Sequence, residues 1–321
     1  MDAASINIAG NITKQKKVKP TWTYKRKMIK RRWQLYLLLV LPVIWLIIFR
    51  YIPMYGLQIA FRNYMFVYGF SRSPWVGLQH FRNFINSHHF SRLIGNTVGI
   101  SLFTMLFSFF PPIILAIALN ECRIRYYQKT VQMITYAPYF LSTVVVVSML
   151  LQIFSIHGVV NTLINMAGGS RVSFISNARF FRPLFVGSIV WQMTGYNSII
   201  YIAALAGINP ELQEAAEIDG ANIWQRIWNV DIPGIMPTAI ILLILSSASI
   251  LSVGFERVYL MQNPLNMPRS DVIATFVYRV GLLNMDFSFA TAVGLFQSVI
   301  SLTFLLIVNM IAKRVSEISL F

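Results

Sequence analysis

LIGNTVGISLFTMLFSFFPPIILAIALN, the stretch from Leu93 to Asn120, carries no Asp, Glu, Lys or Arg in 28 positions. A helix rises about 1.5 Å per residue, and roughly 20 apolar residues cross the hydrocarbon of a bilayer. Lipid is the solvent such a run requires. Five more charge-free runs lie on either side of it: Trp33 to Phe49, Thr130 to Ile156, Pro183 to Gly207, Pro233 to Phe255 and Phe287 to Ala312. The shortest still reaches about 25 Å as a helix. The expected fold is an all-α integral membrane protein of about six transmembrane helices, with residues 33–321 as the membrane domain and 1–32 as a tail.

Composition agrees. Of 321 residues 56% are hydrophobic and 12% charged, about half the roughly 25% charge of a soluble domain. The net charge of +16 is concentrated, because ten of the 27 basic residues lie between Lys14 and Arg32 and only Asp2 opposes them in the tail. Such a cluster holds the N-terminus in the cytoplasm and touches anionic lipid. A nucleic-acid partner is not expected, since no fold-sized soluble region presents the charge.

With six spans, the C-terminus with Lys313 and Arg314 is cytoplasmic too. Residues 121–129 and 208–232 then lie inside, and 52–90, 157–182 and 256–286 outside. The first run precedes Arg50-Tyr51-Ile52-Pro53, which offers no small-residue cleavage site, so it is expected to stay as a signal-anchor. Val272 to Leu283, interrupted by Arg279, is too short to span and is expected to be a re-entrant or surface helix. Pro111-Pro112, Pro138, Pro237 and Gly195 are expected helix breakers. Cys122 is the only cysteine, which excludes an intrachain disulfide and a CxxC pair. His80, His88 and His89 share a loop without carboxylates, and no metal site is expected.

The connection between the fourth and fifth runs differs from its surroundings. Four acids precede Ala221 in Asn209-Pro210-Glu211-Leu212-Gln213-Glu214-Ala215-Ala216-Glu217-Ile218-Asp219-Gly220-Ala221. Asn209 suits a helix N-cap, Pro210 the first turn, and Glu211 the positive end of the dipole. Gly220 suits the left-handed residue that ends a helix. A second short helix is expected near Asn222, with Trp224, Ile227 and Trp228 on one face and Pro233 opening the next span. Read by physics alone, the segment is either an element that slots into a partner's groove or an amphipathic loop resting on the membrane.

This segment resembles the EAA loop of bacterial ABC importer permeases: EAA, three residues, G, nine residues, I, one residue, LP. Glu214-Ala215-Ala216, Gly220, Val230 and Ile232-Pro233 stand at that spacing, with Val for Ile and Ile for Leu. The extended form through Ala221 looks like the carbohydrate-uptake branch, a relative of the maltose importer. The resemblance implies a type I ABC importer-like permease fold, in which this loop docks on a separate ATPase. It implies coupling roles for Glu214, Ala215, Ala216, Asp219, Gly220 and Pro233. It also implies two ATPase copies, a second similar permease (a heterodimer, with a homodimer as runner-up), an extracytoplasmic solute-binding protein, and a place in the bacterial cytoplasmic membrane. No G-x-x-x-x-G-K phosphate loop occurs, so ATP and Mg would be used by the partner, and this chain is expected to have no cofactor and no enzyme activity of its own.

Polar side chains inside a span mark a pathway or an interhelical hydrogen bond. Trp191, Gln192, Tyr196, Asn197, Ser246 and Ser249 are the candidates, with Gln152 and Gln297 behind them. Tyr196 and Ser246 fall where the related maltose importer places sugar contacts. Glu256 and Arg257, at the outer end of the fifth run, either pair or gate. Loops 52–90 and 157–182 carry Arg62, Arg72, Arg82, Arg171, Arg179 and Arg182 without an acid, which suits an acidic oligosaccharide steered to the mouth, and equally lipid headgroups or an acidic binding protein. A permease for another solute is the alternative. An ion-coupled secondary transporter lacks its usual intramembrane acid here, and a membrane enzyme lacks HExxH and GxSxG.

Overall fold

The computed structural model describes residues 31–316 apart from 123, 248–250 and 252. Most of the basic tail and Ser249 therefore lie outside the described residues. The chain divides into two compact units, Met1–Gly56 and Leu57–Phe321. Among the described residues the only β pairing is one bridge, Arg62 to Trp75.

Thirteen helices carry the description that follows. They are α1 (Trp33–Phe61), α2 (Gln79–Ile85), α3 (His89–Asn120), α4 (Arg125–Phe140), α5 (Thr143–Ile153), α6 (Val159–Met166), α7 (Ala178–Ala206), α8 (Pro210–Ile218), α9 (Ile223–Ser247), α10 (Phe255–Met261), α11 (Met267–Ser270), α12 (Ile273–Leu283) and α13 (Phe287–Ser316). Of these, α1, α3, α9 and α13 are each long and apolar enough to cross a membrane. Leu38, Leu41, Ile114 and Leu302 are exposed on them, as side chains facing lipid or a partner subunit would be.

The described residues of all six charge-free runs are mostly helical, the fifth through Ser247, but two runs differ from simple spans. The third is broken: α4 and α5 meet at 101°. Pro138 sits in a 3-10 turn, Leu141 is extended, and Ser142 caps α5 by accepting from the Val145 N–H. The fourth run, α7, is 29 residues long and begins at Ala178, so it includes Arg179 and Arg182. Ser188, Gln192, Thr194, Asn197 and Ser198 dilute its hydropathy. They are tolerated because α7 is the central helix, packed against α3, α4, α9 and α11.

Several expected breakers do not break. Pro111 and Pro112 lie inside the 32-residue α3. Pro53 lies inside α1, so the connection that follows the first run begins after Phe61 and not at Ile52. Pro233 does not open a span, because α9 already starts at Ile223. The two Ile-Pro sites share one solution. A π-helical segment, Ile47–Tyr51 or Ile227–Asp231, precedes each, and the N–H of Ile52 or Ile232 bonds to the carbonyl five residues back. The wider turn carries the chain past a proline that lacks an N–H and crowds the preceding turn. Gly195 is not a breaker either. A Cβ there would lie 2.0 Å from the Thr135 carbonyl oxygen, so glycine permits α4 to touch α7.

The second unit packs around three apolar clusters. One joins Ile100, Val147, Phe185 and Val258. Another, toward the 208–232 connection, joins Ala116, Ile117, Tyr201, Leu205, Ile235 and Ala239. The third holds Phe84, Leu93, Ile273, Phe276 and Val293. Ile273 is fully buried, so α12 is a core element and not a surface helix.

Candidate functional site

Three polar features lie within the second unit. The first is the 208–232 connection. Asn209 caps α8 by accepting from the Glu211 N–H at 3.1 Å, with Pro210 in the first turn. The helix ends in a Schellman turn: Gly220 has φ +76°, the Ala221 N–H reaches the Ala216 carbonyl at 2.9 Å, and the Gly220 N–H reaches Glu217 at 3.1 Å. Asn222 and Gln225 then cap α9 reciprocally, at 2.9 and 2.8 Å. Glu214, Ala215, Asp219 and Gly220 are exposed, Ala216 is half-buried, and Pro233 is exposed within α9. Leu212 and Ile218 are exposed beside them, Ile218 at 86%. Sequence reasoning passed over these two, although an apolar residue in an acidic surface helix was the available signal.

The second feature is a cavity of about 460 Å³ between α3, α7 and α9, with Val253 and Gly254 also in its lining. Asn197 and Ser246 line it, joined by Ser101, Thr104 and Ser108 of α3, which the sequence reading did not single out. Their i, i+3, i+7 spacing was the missed signal. The hydroxyls of these three have no hydrogen-bond partner. Pro111 and Pro112 have no N–H to give the carbonyls of Phe107 and Ser108, so α3 is locally rich in unused acceptors.

The other candidates lie elsewhere. Trp191 is exposed, and Tyr196 stacks face to face on Tyr139 with ring centroids 3.7 Å apart. Gln192 is buried and donates to the Leu141 carbonyl at 2.8 Å, satisfying the acceptor freed at the α4–α5 break. Gln297 does the same for Leu251 at 2.6 Å. Arg257 is not ion-paired to Glu256: it is buried, donates to Ser188 Oγ at 2.8 Å and also to Gln192 Oε1. Burial lowers its pKa, and Glu256, itself exposed, raises it.

The third feature is a knot at the N-terminal end of α3. Asp271, fully buried, accepts from Arg279 at 2.9 and 2.8 Å, from Thr275 at 3.1 Å and from Arg92 at 3.4 Å. Asn96 donates to the Pro268 and Asp271 carbonyls and accepts from Arg182 at 3.1 Å. The Arg182 guanidinium rests on the backbone at Gly99 and lies near enough to Arg269 to feel its charge. Two expected mouth arginines are occupied in folding: Arg62 holds the Phe70 and Ser73 carbonyls beneath Trp75, and Arg171 meets His157. Arg72, Arg82 and Arg179 are exposed. Among the described residues no three His, Cys, Asp or Glu side chains group as a metal site.

Comparison with known proteins gives these features a context. Residues 122–317 match the family described as "Binding-protein-dependent transport system inner membrane component". Protein LplB of Bacillus subtilis (strain 168) is 42% identical over 91% of this chain and 92% of its own length. The polygalacturonan/rhamnogalacturonan transport system permease protein YteP of the same organism is 38% identical over the same shares. A solved bacterial ABC transporter involved in the import of the acidic polysaccharide alginate contains a chain 40% identical, with TM-score 0.84, over 91% of this chain and 99% of that one. The same transporter in complex with an alginate pentasaccharide-bound periplasmic protein matches at TM-score 0.85, with 39% identity over 92% and 99%. With its apolar spanning helices and its EAA-like loop, the chain belongs to the binding-protein-dependent transport system inner membrane component family and is a multi-pass inner-membrane permease subunit of an ABC importer.

Proposed function

We propose that this permease forms half of a pathway importing an acidic oligosaccharide, received from an extracytoplasmic binding protein and driven by a separate ATPase. The observation that carries the acidic reading is the imbalance at the knot, where Arg92 and Arg279 share Asp271 while Arg182, bonded to Asn96, lies near Arg269 with no acid among its partners. Three guanidinium charges in excess at a mouth raise the local concentration of a polyanion. The similarity to a transporter of an acidic polysaccharide supports the same reading. The machine is read as a heterodimer of permeases on two ATPase copies that use ATP and Mg, with both termini of this chain cytoplasmic. The 208–232 connection is the coupling element, Glu214 facing the ATPase and Gly220 shaping the turn. Asn197 and Ser246 are read as pathway contacts. Ser249 and the tail 1–32 keep the roles expected of them, pathway contact and cytoplasmic anchor.

Uptake in reconstituted vesicles tests the substrate. Oligouronates should be imported in preference to neutral oligosaccharides of equal length, and apparent affinity should fall with salt after binding-protein docking is measured separately. Equal uptake of both would overturn the acidic half. Glu214→Lys should abolish substrate-stimulated ATP hydrolysis while the chain stays folded, and normal transport by that variant would remove the coupling role.

A further inference from the structure

We infer that the 208–232 connection moves as one body with α3 and α9, held by Arg226 and by the Gln213–Asp231 pair as positioning residues. The inference rests on the coupling role proposed for this loop. The front of α8, with Leu212, Glu214 and Ile218, is exposed. Its other side is fastened at three points. Gln213 donates to Asp231 Oδ1 at 2.6 Å, and Asp231, 1% exposed, closes the π-helical segment of α9. Arg226 donates to Glu121 Oε2 at 2.7 Å, one residue beyond α3, and also to Glu217 on α8. Ile208 packs so closely on α9 that a Cβ at Gly234 would lie 2.4 Å from its Cδ1.

Two side chains and one close approach thus join α8 to both helices. The Arg226 side chain is 12% exposed and that of Glu121 18%. Charges withdrawn this far from water attract strongly and lose much when parted. A load on the hydrated front of α8 is therefore passed on, and the loop does not flex at Asn209 or Gly220. Ser101 and Ser108 of α3 and Leu242 and Ser246 of α9 line the same cavity. A tilt of α8 carried by both helices changes that cavity without any further relay.

The test uses the complete complex in vesicles, and reads ATP hydrolysed per oligouronate taken up together with ATPase stimulation by liganded binding protein. Arg226→Gln and Asp231→Leu should retain the ATPase and its turnover but raise the ATP cost per molecule by about fivefold or more, the low end of usual site-to-site coupling. Asp231→Asn, which keeps an acceptor for Gln213, should stay near the parent ratio. Gln213→Leu combined with Asp231→Leu should be no worse than Asp231→Leu alone. A second measurement does not depend on how those variants fold. With Cys122→Ser, Gln213→Cys and Asp231→Cys, bridging by a short bifunctional thiol reagent should bring the ATP cost of the unbridged variant back toward the parent ratio, because the bridge replaces the lost fastening and the two positions never part. Transport that stops on bridging, or parent-like ratios in assembled Arg226→Gln and Asp231→Leu complexes, would overturn the inference alone. Normal stimulation in Glu214→Lys would instead overturn the coupling reading, and this inference with it.

Discussion

The loop after α7 and the knot at Asp271 are both polar, and they sit at opposite ends of α3, one tied to Glu121 and the other to Arg92 and Asn96. They are built on opposite plans. In the loop, the hydrogen bonds that shape the turn join residues two to five positions apart: Asn209 to Glu211, Ala221 to Ala216, Asn222 to Gln225. In the knot the bonds made by Arg92 and Asn96 of α3 join residues 86 to 179 positions apart, as Arg182 to Asn96 and Arg92 to Asp271, beside the local bonds of Arg279 and Thr275 to Asp271. The difference teaches where each feature keeps its stability. The turn of the loop is a set of local caps, each worth little and each replaceable, while its fastening to α3 and α9 through Arg226 and Gln213 is a separate matter. The knot is a buried charge whose partner on α3, Arg92, arrives only when the bundle closes.

Breaking the knot should therefore cost most. Asp271→Asn leaves Arg92 and Arg279, each about a third exposed, without their fully buried carboxylate. Because water screens the two arginines, the loss falls toward the low end of the roughly 3–5 kcal/mol typical of a fully buried pair. Thermal unfolding in detergent should show a large loss, and a transition unchanged from the parent would show that the knot holds no stability. Gly220→Val comes next. A β-branched residue at φ +76° should cost about 1–2 kcal/mol, and substrate-stimulated ATP hydrolysis should fall with the distorted turn. A variant that keeps full stimulation would show that the turn's shape is irrelevant to docking.

Smaller still is Asn222→Ala, which removes the reciprocal cap of α9 for about 1 kcal/mol. Because that helix continues into the bundle, amide exchange near Ile223 should rise while the unfolding temperature barely moves. A loss as large as that of Asp271→Asn would erase the contrast between the two regions. The smallest stability effect is expected of Glu214→Lys. This side chain is exposed and makes no hydrogen bond in the described structure, so unfolding should match the parent while coupling is lost. A strongly destabilised Glu214→Lys would mean the residue holds the fold and not a partner.

The same distinction governs what could be read ahead of the structure. Long charge-free runs located the helices because lipid excludes charge whatever the neighbours. The caps of α8 and α9 were legible because Asn209, Gly220 and Asn222 act on backbone groups a few residues away. Prolines misled where a π turn absorbs them, as before Pro53 and Pro233. Gly195 was taken for a bend when its lack of a Cβ serves a neighbour 60 residues away, the Thr135 carbonyl. Trp191 and Tyr196 are pathway candidates by residue type, and the cavity lined by Asn197 and Ser246 does not include them.

By itself, then, the order of residues determined an all-helical membrane domain, the turn of its 208–232 connection and its family likeness, since each depends on solvent preference or on contacts within a turn. Only the tertiary structure decided that Gln192 serves a broken helix, that Arg257 turns to Ser188 and Gln192 instead of Glu256, and that Gln213 meets Asp231. Those choices depend on which distant helix supplies a donor or acceptor. A buried polar group takes whichever partner the packing brings within about 3 Å, and no local pattern in the chain specifies that partner.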